Sequence, residues 1–444
     1  MSWRMARAGA AAAGALLVAV ASAPAHALTN VACSETALRN AITASNLLPG
    51  GDTLVLLPYC VYTLTDGFGQ LPTITKPLVI QGNHATIRRD PAAISSFRVM
   101  RVGSGGSLTA DTLTVMNGHA DASGGGGLLV DAGGGPLTAT GVNFQGNASD
   151  GNGGGVLIAS GSTGTSTLNG GNVTDNRATV DGGGIDAEGT VNLAGTTVAG
   201  NRANGQAGGV NNDVGAGLLT ISDAFIRNNR AAGATGGVDL DGNAFITRTS
   251  VTGNSSGATS GPGGIYAGGF LTLQDSVVSG NIDTTGTVSG AGGLQANGVA
   301  VVVLGTEING NRVIGAGAFG AGVYHSSGSL ILDGSTISGN LASGANAKGG
   351  GVYTEGSSLT IQNNTRINGN KVSGTGAFAA GLYNTGGSVS LSGSHVDNNT
   401  APPVPAPGGI WTDTPITSVT ASTITGNTPT NCLLSPQPVT GCSG

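Results

Sequence analysis

Six polar side chains fall in pairs two residues apart, at a repeating interval: Asp186 and Glu188, Asn211 and Asp213, Asp239 and Asp241. Each pair follows Gly-Gly and a branched apolar residue, as in Gly183-Gly-Ile and Gly236-Gly-Val. Residues two apart on an extended strand share a face, so each pair points one way. Five carboxylates and one amide on neighbouring units suit two chemistries. As oxygen donors, Asp186, Glu188, Asp213, Asp239 and Asp241 could hold Ca²⁺, a hard ion that takes several oxygens. As proton donors and acceptors, Asp186, Asp239 and Asp241 could cleave a polysaccharide by acid–base chemistry. A solvated acidic patch is the plainer reading, and it needs no catalytic residue and no cofactor. Arg177, Arg202, Arg227 and Arg248 are the cations expected nearby.

Further along the chain the same position turns aromatic: Tyr266, Tyr324, Tyr353, Tyr383 and Trp411 each follow a Gly-Gly or Ala-Gly unit by the same step. Stacked in register, they would form an outward stripe suited to sugar faces or to a protein partner. Alternatively the rings stack on one another and stabilise the sheet face. Sequence signatures of known chemistry are missing. No Gly-x-Ser-x-Gly, His-Glu-x-x-His or Cys-x-x-Cys occurs, and neither does a calcium nonapeptide. The polygalacturonase motifs fail too, Gly118-His-Ala120 being the nearest approach.

These residues are positioned by a repeat. Asparagines at 117, 147, 176, 201, 229, 254, 281, 311, 340, 370, 399 and 427 mark its beat, and alternating phrases such as Leu271-Thr-Leu fill the space between. Apolar residues at every second position are the period of a strand, and 82 glycines would unsettle helical repeats. The expected fold is all-β: a single-stranded right-handed parallel β-helix of about 12–14 coils. In it, inward Val, Ile and Leu stack coil on coil, Asn amides bond along the axis, and glycine pairs make tight turns. Each unit is expected to hold three short strands. Ser34 to Asn46 reads as a short helix with Ser34 as its N-cap, covering the open end. The organisation is then residues 1–27 as a signal peptide, 28–75 as cap and first coil, 76–427 as the β-helix and 428–444 as a tail.

The signal is read from Arg4 and Arg7, the apolar run Ala8 to Ala21, and the small-x-small site Ala25-His-Ala27. No later stretch is apolar for long enough to span a bilayer. Secretion makes disulfides reasonable. With the ends of the rod too far apart for cross-pairing, Cys33–Cys60 and Cys432–Cys442 are the expected bonds. The net charge of −6, without a basic block, argues against nucleic-acid binding.

Phe144-Gln-Gly-Asn and Phe225-Ile-Arg-Asn, taken with the Gly-Gly phrases, resemble the repeats of polymorphic outer membrane proteins of the autotransporter type. Residues 33–64, with Ala37-Leu-Arg-Asn-Ala-Ile and Gly51-Asp-Thr-Leu, look like the cap of secreted bacterial β-helix proteins. The resemblance implies a pectate-lyase-like superhelix and export; the autotransporter barrel has no counterpart here. The expectation is a secreted, non-catalytic protein, adhesin-like or glycan-contacting, with a polysaccharide or surface protein as partner. A lyase or glycoside hydrolase acting on acidic polysaccharide is the alternative.

Overall fold

Asparagine side chains run the length of the molecule as a ladder. In each coil from Asn147 to Asn399 the backbone N–H and Nδ2 both donate to Oδ1 of the next asparagine, at 2.9 and 3.0 Å for Asn229 onto Asn254. Nδ2 also donates to a backbone carbonyl, Val198 in that coil. All its donors are satisfied out of water, which is what a buried amide requires. The ladder ends on Asn431, whose Oδ1 accepts from Asn427. Asn117 is not a rung. Ala148 pairs with His119, so Gly118 takes the ladder position and donates its N–H to Asn147. Asn117 occupies the preceding, left-handed corner (φ 58°), where Gly146 stands one coil later (φ 61°). The corner, and not the rung, is what demands positive φ.

The structure, a computed structural model, describes residues 28–257, 261–284, 290–403 and 407–442. The expected signal segment lies outside them. The chain winds as a right-handed parallel β-helix of about 13 turns. Among the described residues four sheets of 15, 12, 14 and 10 strands run along it, each strand pairing in parallel with its counterpart one coil away. One coil shows the order: Ile185–Ala187 after the glycine pair, then Val191–Ala194, Thr197–Ala199, and Arg202–Ala203 after the ladder asparagine. The sequence reading has three strands per unit. The fourth, two residues long, is too short to show alternation.

Alternation decides the core. Ile185, Ala187, Val191, Leu193 and Val198 point inward and are fully buried, and their equivalents stack into one continuous apolar column. Each such Val, Leu or Ile contributes about 1.5–3 kcal/mol. The glycine pairs are not turns, since Gly183 and Gly184 have ordinary φ. A Cβ on Gly184 would meet the Gly209 carbonyl at 2.7 Å and the Asn201 amide at 3.0 Å. They are glycine because the next coil's backbone occupies the side-chain space. Helix Glu35–Ser45 closes the N-terminal end, capped by Ser34 and burying Leu38, Ala41 and Ile42. Both expected disulfides are present, Cys33–Cys60 and Cys432–Cys442.

Candidate functional site

The column after each glycine pair does point away from the core, yet most of it is covered. Asp186 is 0% exposed and Asp239 is 3% exposed. The expected solvated patch is therefore corrected. The connections leading into each glycine pair lean over the strand and exclude water. Asp186 lies beside Asn211, whose Nδ2 donates to Asp186 Oδ1 (3.2 Å) and Asp213 Oδ1 (2.9 Å). Asp186 Oδ2 and Asn211 Oδ1 are buried and find no hydrogen-bond partner.

Burial drives the Asp186 carboxyl well above its ordinary range, and the charges of Asp213 and Glu188 push the same way. Carboxylate oxygens of Asp186, Glu188 and Asp213 come within 4.8 Å of one another. Three close carboxylates with an unpaired amide oxygen beside them form a donor set that a hard divalent ion would complete. Glu188 and Asp213 open onto a surface hollow that also takes in Ser160.

Two coils on, Asp239 and Asp241 line a cleft of about 270 Å³ with Gln206, Tyr266, Gln295 and Asn297. Thr235 donates to Asp239 Oδ2 at 2.5 Å. Burial nevertheless pushes the Asp239 carboxyl up to about 7, against the lowering effect of that hydrogen bond. Asp241 is raised more modestly, first by burial and then by Asp213. The five acids therefore split between two places: Asp186, Glu188 and Asp213 in one, Asp239 and Asp241 in the other. Tyr266 belongs to the second cleft and not to the aromatic array.

The remaining aromatics stack along the axis. Tyr353 and Tyr383 lie 4.8 Å apart at 11°, and Tyr383 and Trp411 lie 4.4 Å apart at 1°. Tyr324 and Tyr353 donate to Glu355 at 2.6 and 3.2 Å. Burial pushes the Tyr324 and Tyr383 hydroxyls up to about 12. The expected outward stripe of flat rings is corrected as to exposure: Tyr353 is 9% exposed, and ring faces meet one another. Loops bring Phe319 and Phe378 edge-on to Tyr324 and Tyr383, and set Lys348 over Phe378 and Tyr383. These covering residues were missed, although Phe319, Lys348 and Phe378 stand five residues before successive tyrosines and pair in register.

The arginines also separate. Arg248 is held on the surface by Asp223, with both contacts at 2.7 Å, and Arg227 stands on the 14-stranded sheet. Arg177 and Arg202 lie on the short strands after the ladder, joined in register by Arg230. Among the described residues no arginine or lysine comes within ion-pair distance of the two acidic sites.

No family model matches this chain, and no curated protein matches it. Among solved structures it is similar to the mannuronan C-5 epimerase A-module of Azotobacter vinelandii, at 13% identity and a TM-score of 0.25, over 90% of this chain and 96% of that one.

Proposed function

We propose that the protein works outside the cytoplasm on a carbohydrate polymer, and that the Asp239–Asp241 cleft cleaves glycosidic bonds. The observation that carries this reading is Asp239, a buried carboxyl lining an open cleft and pushed up to about 7. At neutral pH it holds a proton for a large fraction of the time, as a general acid must. Asp241 lies two residues on and is more accessible. Groups so placed on one face are about 6.5–7 Å apart at Cα, and both residues line the one cleft. Asp239 would give its proton to the leaving glycosidic oxygen. Asp241 would take a proton from the water that adds to the anomeric carbon. Tyr266, Gln295 and Asn297 supply the polar wall that orients sugar hydroxyls. Asp186, Glu188 and Asp213 would hold Ca²⁺ beside the cleft, bracing the polymer or the strand.

Incubation with neutral and acidic polysaccharides, with and without Ca²⁺, should release new reducing ends. Asp239→Asn should lower the rate by about 100-fold or more. An unchanged rate in that variant, or no cleavage of any polymer, sinks the reading.

A second reading, adhesin-like contact without turnover, draws on the polymorphic outer membrane resemblance and on a different face. Phe245 and Phe270, 49% and 53% exposed, line an apolar hollow with Leu218 and Val302. Exposed rings of this kind favour a protein partner.

A further inference from the structure

The two-residue strands after the ladder carry the phrase Asn-Arg-Ala in three successive coils, at Asn176, Asn201 and Asn229. In each the asparagine is a ladder rung and the alanine is buried, which turns the arginine outward. Arg177 pairs in register with Arg202, and Arg202 with Arg230. Adjacent strands are about 4.8 Å apart, so three guanidinium groups rise from one line about 10 Å long. Like charges directly opposite one another on neighbouring strands destabilise a sheet. Here they repeat without relief: among the described residues none of the three makes an ion pair, although four other arginines do. Asp175 shares the hollow beside Arg177 and Arg202 but stands beyond pairing distance. All three arginines line a second hollow of about 290 Å³ with Asn204.

We infer that this arginine ladder is a binding site for an acidic polysaccharide lying along the axis of the rod. Charge and spacing both match such a polymer. A guanidinium presents a planar fork that takes a carboxylate or a sulfate with two parallel hydrogen bonds. A pyranose ring is about as long as the gap between strands, so a polymer with one anionic group per sugar meets successive arginines in step. Nucleic acid fits less well. Single-strand sites interleave cations with rings for the bases to stack on, and the strands flanking this ladder carry Ala148 and Ser255 at its position. The inference does not depend on cleavage at Asp239. The ladder lies on the other side of the connection leading into the acidic strand, and binding is measured without turnover.

The test is affinity electrophoresis of the full chain through gels containing polygalacturonate, dextran sulfate or neutral dextran, with an oligothymidine gel shift alongside. Retardation by polygalacturonate or by dextran sulfate is expected, and which of the two is stronger identifies the anion as carboxylate or sulfate. Neutral dextran should leave mobility unchanged. The triple variant Arg177→Gln, Arg202→Gln, Arg230→Gln should bind at least about 10-fold more weakly, and the corresponding triple lysine variant should recover part of the loss, since charge survives but the fork does not. Raising salt should weaken the wild type more steeply than the glutamine variant. All three side chains are exposed and their repulsion is relieved by glutamine, so the thermal midpoint should hold or rise slightly, and it serves as the folding control. Equal retardation of the wild type and the glutamine variant overturns the inference. So does binding to the oligonucleotide alone, or to no polyanion at all.

Discussion

Two stretches of one column solve the same problem in opposite ways. Around Asp186, Asn211 and Asp239, and around Tyr324, Tyr353 and Tyr383, the backbone is the same. The step from the glycine pair is the same, and the preceding loops cover both. The tyrosines are provided for: rings on rings, hydroxyls on Glu355, a lysine over the end. The acids are not. Two oxygens at Asp186 and Asn211 lack partners, and Asp239 is held partly protonated. A solenoid imposes coverage without dictating what is covered. Where it covers polar groups without satisfying them, the fold gives up stability, and that cost is the reason to look for a ligand there.

The sharpest way to break this contrast is truncation on the aromatic side. Tyr353→Ala removes a ring stacked on Tyr383 and tilted against Tyr324, together with a hydrogen bond to Glu355, and should cost about 3–5 kcal/mol in denaturant unfolding. Hydrogen exchange should rise first in residues 315–385. A cost below about 1 kcal/mol would mean the stack contributes little, and the two regions would not differ as described.

The complementary change should go the other way, and pH reveals it. The folded Asp239 carboxyl titrates near 7, above its unfolded value near 3.8. Its burial is therefore free below about pH 4 and increasingly costly as pH rises to 7, on the order of 4 kcal/mol in full. Asp239→Asn should accordingly raise the midpoint of thermal unfolding at pH 8 and leave it unchanged at pH 4. His325 supplies the opposite slope from the aromatic region. Buried among Thr354 and Ser357, it is pushed down to about 4, and its contribution is present above about pH 6.5 and lost on acidification. A variant of Asp239 with an unchanged pH profile would show that the carboxyl is better solvated than its surroundings imply.

The smallest expected effect concerns the loop cation. Lys348→Met should cost about 0.5–1 kcal/mol by loss of the contacts to Phe378 and Tyr383. A neutral result would leave the rings as the whole of the cover.

Much of the scaffold was legible because a solenoid writes the same residue at the same phase. The asparagines, the alternating core phrases, the capping helix and the disulfide pairs could all be read directly. The one misplaced rung, Asn117, arose where Asn-Gly replaces Gly-Asn and two adjacent positions accept either residue. Direction was readable for the column too, because alternation alone decides it. Exposure was not. It depends on loops whose residues Phe319, Lys348 and Phe378 lie outside any strand, where no periodicity speaks for them. The third arginine was hidden differently. Arg230 sits on a strand of two residues, and only the recurrence of Asn-Arg-Ala announces it.

The end of the asparagine ladder has a consequence for how the rod comes apart. Coils held by nearest neighbours unzip from their ends, since an end coil is bonded on one side only. At the C-terminal end the last acceptor, Asn431, is adjacent to Cys432 in a closed loop with Cys442. At the other end Cys60 is tied to Cys33 beneath the capping helix. Both fraying points are thus clamped covalently. Each bond restricts the freedom its own end gains on fraying, so reduction should raise hydrogen exchange at both tips before it changes the interior of the array.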